Sequence, residues 1–108
     1  MKKKSYAALG LAGALTIIAP ARAESTPGLT LAQQENCMSC HSVSRRFMGP
    51  SMHDIAARYA TRADAPAYLT RKILEGSAGV WGTVPMPANT QLTPDQAASL
   101  AGWILTLK

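Results

Sequence analysis

From about residue 30 onward, apolar residues recur at helical spacing, and no stretch alternates apolar and polar residues as a strand would. A capping box of Thr30 and Gln33 predicts a first helix of about two turns that runs up to Cys37. Ser51 is predicted to begin a second helix. Its buried face is predicted to consist of Met52, Ile55, Ala56 and Tyr59.

A third helix is predicted over about residues 65–75. Pro66 lies where a first-turn proline is favourable, and Gly76 is a natural stop. Leu69 and Ile73 are predicted to face inward, because they are four residues apart and share a helix face.

The fourth helix has the clearest start. Thr93 is the predicted cap, Pro94 the first helical residue, and Gln96 the capping-box partner. Its predicted buried face consists of Ala97, Leu100, Ala101, Ile104 and Leu107. The fold class is therefore all-α, with about four helices.

Three segments lack helical periodicity. Residues 24–28 are predicted to be a loose terminus, and residues 42–50 a loop that ends in Gly49-Pro50. Residues 77–93 form the longest such stretch, and a loop of this length in so small a domain usually has a function.

The N-terminus has the pattern of a secretory signal peptide. Three lysines at positions 2–4 precede a run without charged residues at 6–19, and small residues occupy positions 21 and 23. We expect cleavage between Ala23 and Glu24, which leaves residues 24–108 as a single secreted domain. An uncleaved membrane anchor is the alternative, but a spanning helix needs about 20 apolar residues.

Removal of residues 1–23 changes the charge balance. The full chain carries a net charge of +5, whereas residues 24–108 hold seven basic and six acidic side chains, a net charge of +1. The basic character belongs to the leader, so no nucleic-acid partner is expected. An 85-residue domain with one cysteine pair is also small enough to need a prosthetic group or a cross-link for stability.

The strongest chemical motif is Cys37-Met38-Ser39-Cys40-His41. Two cysteines three positions apart, followed directly by histidine, form the attachment signature of c-type haem. Each thiol can form a thioether with one vinyl group of the macrocycle, and His41 then lies under the iron as its proximal ligand.

A second axial ligand would come from a methionine, the soft ligand that raises the potential in cytochromes c. Met86 is the best candidate, because it lies between two prolines midway through the long loop. Met38 is inside the attachment turn, and Met48 and Met52 are predicted to fill the core. His53 is the rival ligand, although its position off the apolar stripe indicates a surface residue.

At this point the chain resembles the short bacterial class I cytochromes c of the cytochrome c-551 type, which are periplasmic monohaem electron carriers. The resemblance covers about residues 31–108. The shared motifs are Cys-Met-Ser-Cys-His at 37–41, Met-Gly-Pro at 48–50, Ile-Ala-Ala-Arg-Tyr at 55–59, Gly-Ser at 76–77, Gly-Val-Trp-Gly at 79–82, Pro-Met-Pro-Ala-Asn at 85–89, and Trp103.

The resemblance implies the class I cytochrome c fold around one haem c, bound covalently through Cys37 and Cys40. It also implies axial ligation of the iron by His41 and Met86. The first and last helices would cross at one edge. Ala32 departs from the family there, where an aromatic residue is usual, so this crossing is expected to be less well filled.

Three further residues have roles implied by the resemblance. The carbonyl of Pro50 would accept the free ring N–H of His41, and Trp81 would donate its indole N–H to a haem propionate. Asn89 would hydrogen-bond near the Met86 sulfur and tune the potential.

The leading hypothesis is a monomeric one-electron carrier, not an enzyme, that serves periplasmic or membrane-bound redox proteins in a respiratory chain. Partners would dock at the exposed haem edge. The basic residues that could steer an acidic partner are Arg45, Arg46, Arg71 and Lys72. An ordinary solvated face explains the same residues.

Three alternatives remain. A haem enzyme or gas-binding protein would need a displaceable Met86. A thiol–disulfide oxidoreductase would use Cys37 and Cys40, but the chain lacks the βαβ pattern of that class. A zinc site would combine these cysteines with His41 and His53, although no finger spacing fits.

Overall fold

The computed structural model describes residues 2–5, 7–19 and 27–107. Its four α-helices are α1 (Pro27–Gln34), α2 (Met52–Tyr59), α3 (Ala65–Glu75) and α4 (Pro94–Leu105), and a short 3-10 helix spans Cys37–Ser39. The all-α prediction is confirmed. Across the described ranges, the only β-type pairing is an isolated antiparallel bridge between Ser77 and Met86.

The starts of α2 and α4 follow the predicted capping chemistry. The Ser51 hydroxyl accepts a hydrogen bond from the Asp54 amide at 3.0 Å. At α4, the Thr93 hydroxyl accepts from the Gln96 amide at 3.2 Å, and the Gln96 side chain accepts from the Thr93 amide at 2.9 Å. These bonds satisfy amide groups that have no partner within the helix, which is why both helices begin where they do.

The first helix differs from the prediction at both ends. It begins at Pro27 rather than at a Thr30 cap, so residues 27 and 28 belong to a helix and not to a loose terminus. It ends at Gln34, short of Cys37, because Asn36 adopts the left-handed conformation with φ 61°. Asparagine tolerates that conformation better than most side chains, so Asn36 can end the helix without a glycine.

The core lies where α4 contacts the other three helices. Its buried members include the predicted face of α3 and most of those of α2 and α4. They are Ala32, Met52, Ile55, Tyr59, Ala65, Leu69, Ile73, Leu92, Ala97, Leu100, Ala101, Trp103 and Ile104. Ala56 of α2 is buried as predicted but lies outside this cluster. Leu107 is only partly buried, because it lies beyond the end of α4.

The crossing of α1 and α4 depends on two small residues. Ala32 is fully buried, and Gly28 lies directly against Trp103, so that a Cβ atom added at Gly28 would overlap the indole. The backbone of α1 therefore approaches α4 closely. This tertiary contact accounts for a helix that starts one turn earlier than its capping box suggests.

The large apolar side chains of the N-terminal segment are exposed. Residues 7–19 contain no helix, and their leucines and isoleucines are 86–93% exposed. Of the helices in the described part of the chain, none has the length and apolarity needed to span a membrane. The expected cleavage point between Ala23 and Glu24 lies outside the described residues.

Substitution by alanine is expected to change the free energy of unfolding in opposite directions at Gly28 and Gly102. Gly28→Ala forces a methyl group into the Trp103 ring and is expected to lower the free energy of unfolding by about 1–3 kcal/mol. Gly102→Ala adds a methyl group to an exposed position of α4 with no neighbour within 4 Å. It is expected to raise that free energy by up to about 1 kcal/mol.

Denaturant unfolding of the mature holoprotein measures both changes. Gly102→Ala controls for the effect of the extra methyl group on helix propensity. A Gly28→Ala protein as stable as the wild type would contradict the close helix crossing.

Candidate functional site

A cavity of about 830 Å³ opens between the helices and the two long loops. This size lies within the roughly 300–1,000 Å³ typical of cofactor pockets. All seven residues predicted to bind the cofactor line it, namely Cys37, Cys40, His41, Pro50, Trp81, Met86 and Asn89. The fold thus brings together residues that lie up to 52 positions apart in the sequence.

The attachment motif folds as one tight turn. The amides of Cys40 and His41 both donate to the Cys37 carbonyl, at 3.3 and 3.0 Å. Both cysteine side chains are half-buried and line the cavity. The turn therefore places both cysteines on the wall of one cavity, as two thioether bonds to a single ring require.

The electrostatics of Cys37 argue against thiol redox chemistry. Burial raises the pKa of the Cys37 thiol, and the nearby Glu35 carboxylate adds to this effect. A catalytic dithiol depends on the opposite shift, because the thiolate is the reactive form. The oxidoreductase alternative therefore lacks its fold pattern, and burial disfavours the thiolate form of Cys37.

The orientation of His41 is fixed by a loop that returns to the attachment turn. His41 Nδ1 lies 2.7 Å from the Pro50 carbonyl oxygen. A carbonyl can only accept, so Nδ1 carries the proton and Nε2 keeps the lone pair that a metal needs. Gly49 makes this approach possible, because a Cβ atom there would lie 2.7 Å from Cε1 of the ring. The Gly49 amide also donates to the Cys40 carbonyl at 2.8 Å.

The backbone of Met86 is held by two hydrogen bonds to Ser77. Its amide donates to the Ser77 carbonyl at 2.8 Å, and its carbonyl accepts from the Ser77 amide at 3.0 Å. Gly76, with φ 78°, lets this pair form, since a Cβ there would lie 2.5 Å from the Met86 carbonyl oxygen. The side chain is half-buried and packs against the core.

Asn89 fastens the end of the long loop to α3. Its side-chain Nδ2 donates to the Ile73 carbonyl at 2.9 Å, and its backbone amide donates to the same oxygen at 3.2 Å. The Nδ2 group has a second hydrogen. The contact between Asn89 and the Met86 sulfur stays a prediction, for which this second hydrogen is available. The contact that anchors Asn89 to Ile73 was not predicted from the sequence.

Trp81 belongs to an aromatic group on the cavity wall. Its ring meets Tyr59 edge-on with centroids 6.3 Å apart, and the Tyr59 ring lies 5.2 Å from that of Tyr68. Burial raises the pKa of the Tyr59 phenol, which stays neutral at physiological pH.

Two arginine side chains hold the turn that carries Trp81. Arg46 donates to the Trp81 carbonyl at 2.9 Å, and Arg58 donates to the Val80 carbonyl at 3.0 Å. The Arg58 guanidinium also lies 4.4 Å from the Trp81 ring centroid. No sequence signal identified these contacts, because their acceptors are backbone carbonyls 22 and 35 positions away.

The other candidate ligands occupy different environments. Met52 is a core residue, as predicted, and His53 is exposed on α2. The prediction that Met48 fills the core is wrong: its side chain is 51% exposed and lines the cavity. Among the described residues, no three His, Cys, Asp or Glu side chains gather as a metal site would require. The zinc alternative therefore has no support.

Comparison with known proteins agrees with this geometry. A family model described as cytochrome c matches residues 25–108. The chain is 46% identical to cytochrome c-552 of Nitrosomonas europaea, over 90% of each chain. It is 44% identical to cytochrome c-551 of Pseudomonas denitrificans, over 75% of this chain and 98% of that one.

Solved structures show the same fold. The crystal structure of Nitrosomonas europaea cytochrome c552 superposes with a TM-score of 0.73 at 50% identity, covering 74% of this chain and 99% of that one. The class 1 cytochrome MtoD from Sideroxydans lithotrophicus gives 0.62 at 30% identity, covering 74% and 91%. The cavity, the attachment turn and these matches show that the chain belongs to the cytochrome c family of electron-transfer proteins, with one covalently attached haem c.

Proposed function

We propose that this protein is a periplasmic one-electron carrier whose haem iron is ligated by His41 and Met86. The observation that carries the proposal is a single cavity whose wall contains Cys37, Cys40, His41 and Met86. The haem supplies an iron that cycles between ferrous and ferric states. Two protein ligands leave the iron no open position for a substrate, which favours a carrier over an enzyme.

The residues around His41 and Met86 determine how firmly each ligand is held. Pro50 fixes the imidazole plane and increases the basicity of Nε2, because the Nδ1 hydrogen is donated to its carbonyl. The two hydrogen bonds to Ser77 fix the backbone of Met86. A ligand that stays in place in both oxidation states keeps the structural change on electron transfer small.

Apolar side chains from three helices form the rest of the cavity wall. They exclude water and lower the local dielectric, which favours the less charged ferrous state. These buried residues are Ile55, Leu69, Ile73, Leu100 and Ile104. We propose that Trp81, which also lines the cavity, donates to a haem propionate, and that Asn89 acts on the Met86 sulfur.

Residues 1–23 are proposed to be a cleaved signal peptide that directs the protein to the periplasm. Basic residues 2–4, the uncharged run and the small residues at 21 and 23 support this. The exposure of the apolar side chains in residues 7–19 agrees with a segment that has no place in the folded domain. The mature protein would be residues 24–108.

Partners are proposed to be periplasmic or membrane-bound redox proteins that dock on the mature monomer near the cavity mouth. Lys72 lines the cavity, and Arg45 and Arg46 are exposed beside it. Arg71 lies near the Tyr68 ring, at 5.8 Å from its centroid. Their positive charge suits an acidic partner, and such redox encounters commonly bury less than about 1,200 Å².

Met86→Ala tests the ligand assignment. The oxidised mature protein is expected to show the far-red sulfur-to-iron absorption band, and the reduced protein is expected not to bind carbon monoxide. The variant is expected to lose the band and to bind carbon monoxide, because the iron then has an open position.

Met48→Ala is the control, since Met48 lines the same cavity on the side of the His41 loop. It is expected to keep the band. A wild-type protein that binds carbon monoxide readily would support the haem enzyme or gas-binding alternative instead.

Gly49→Ala tests the role of the proximal hydrogen bond. The added methyl group displaces the His41 ring from the Pro50 carbonyl, which weakens the electron donation of Nε2 to the iron. The reduction potential is expected to rise by on the order of tens of millivolts. Voltammetry measures this shift, with Gly102→Ala as the control glycine. An unchanged potential would contradict the proposed tuning through Pro50.

A further inference from the structure

The turn that leads to Met86 makes few contacts through its own backbone. Residues 78–85 connect Ser77 to Met86, the two residues that pair as an isolated antiparallel bridge. In the described part of the chain, these eight residues form no backbone–backbone hydrogen bond. Gly79 and Gly82 have φ values of 73° and 128°, so the turn depends on glycine conformations and has little stiffness of its own.

Arginine side chains supply the fastening that the backbone lacks. Arg46 reaches across from the loop after the attachment turn and donates to Trp81 at 2.9 Å. Arg58 reaches from α2 and donates to Val80 at 3.0 Å. The turn is thus held from two separate parts of the protein, one of which also carries Pro50.

The two arginines have no competing acidic partner. Within the described ranges, the sole ion pair joins Arg62 and Asp64. The Arg58 guanidinium also stacks at 4.4 Å from the Trp81 ring centroid, an arrangement that adds a cation–π attraction to the hydrogen bond. Both guanidinium groups are therefore committed to the turn rather than to a surface ion pair.

We propose that Arg46 and Arg58 form a latch that closes the 78–85 turn over the cavity rim and so keeps Met86 at its position. This inference rests on the proposed ligation by His41 and Met86. An external ligand can reach the iron only when the turn opens and Met86 leaves. Its apparent affinity is therefore reduced by the small fraction of molecules that are open.

The latch makes Arg46 and Arg58 positioning residues, since they act through the turn and not on the iron. Removal of either guanidinium takes away one hydrogen bond of the closed state only. The open fraction rises, and the affinity for an external ligand rises by the same factor. Global stability changes less, because neither arginine is part of the buried core.

The experiment compares Arg46→Ala and Arg58→Ala with Arg45→Ala. Arg45 is adjacent and equally charged, but its side chain makes no hydrogen bond or ion pair within the described residues. Imidazole is titrated into each oxidised mature holoprotein while the far-red band is followed. Arg46→Ala and Arg58→Ala are each expected to bind imidazole roughly two- to tenfold more tightly than the wild type. Arg45→Ala is expected to match the wild type.

Hydrogen exchange gives a second readout that does not depend on the iron ligand. The amides of Ser77 and Met86, which donate to each other's carbonyls, are expected to exchange faster in Arg46→Ala and Arg58→Ala. Core amides of α4 are expected to keep their wild-type rates. Arg58→Lys keeps a cation for the Trp81 ring and is expected to fall between the wild type and Arg58→Ala.

These readouts separate the latch from the ligand assignment. A wild-type protein without the far-red band would contradict ligation by Met86, while the exchange rates would still decide the latch. Equal exchange rates and equal imidazole affinity in the wild type and the three alanine variants would overturn the latch. An equal increase in all three alanine variants would also overturn it, because lost charge alone would then explain the effect.

Discussion

The two hydrogen bonds between Ser77 and Met86 are the constraint on which the distal side of the site depends. They fix one methionine in a loop that otherwise has no regular structure. Gly76 is required at their start, because any side chain there would collide with the Met86 backbone. With Asn89 bound to Ile73, the loop is anchored to the end of α3, and α3 in turn packs against α4.

The proximal side is built by a different device. The proposed ligand, His41, follows the cysteines within the same short motif, so the attachment residues and the proposed ligand come from one turn of the chain. The loop to Pro50 then returns and fixes the ring by one hydrogen bond. In the proposed site, Cys37 and Cys40 attach the haem, His41 ligates the iron, and Pro50 orients His41. A haem bound there would supply this small domain with both an apolar body for its core and a cross-link.

Local signals in the sequence predicted most of the fold. Helix α3 has a proline in its first turn and Gly76 just past its end, and both of its predicted bounds were correct. The predicted start of α4 was also correct, because a capping box depends only on neighbouring backbone. The end of α4 was not predicted, since the helix stops at Leu105 and leaves Leu107 outside it. The start of α1 was wrong, because Pro27 and Gly28 are helical owing to a contact with Trp103 in another helix. Thr30 and Gln33 have the residue types of a capping box, but both lie within α1 and not at its start.

The functional site, like the fold, combines residues that the sequence predicted with contacts that it did not. The attachment motif is short and specific, so Cys37, Cys40 and His41 follow from sequence alone. Met86 was already the best candidate from sequence, because two prolines flank it midway through the long loop. The resemblance added the pairing with His41, since nothing local relates Met86 to a motif 45 positions earlier. The assignment of Met48 to the core failed, since a loop methionine carries no sign of whether it faces the interior or a cavity. The contacts of Arg46 and Arg58 end on carbonyl oxygens, which every residue has.

The central claim is that one iron is held between His41 and Met86. The most direct test is a crystal structure of the oxidised mature holoprotein, produced in a host that attaches haem c. The account predicts thioether bonds from Cys37 and Cys40, with iron bonded to His41 Nε2 on one side and Met86 Sδ on the other. A sixth position occupied by water, Met48 or His53 would contradict it.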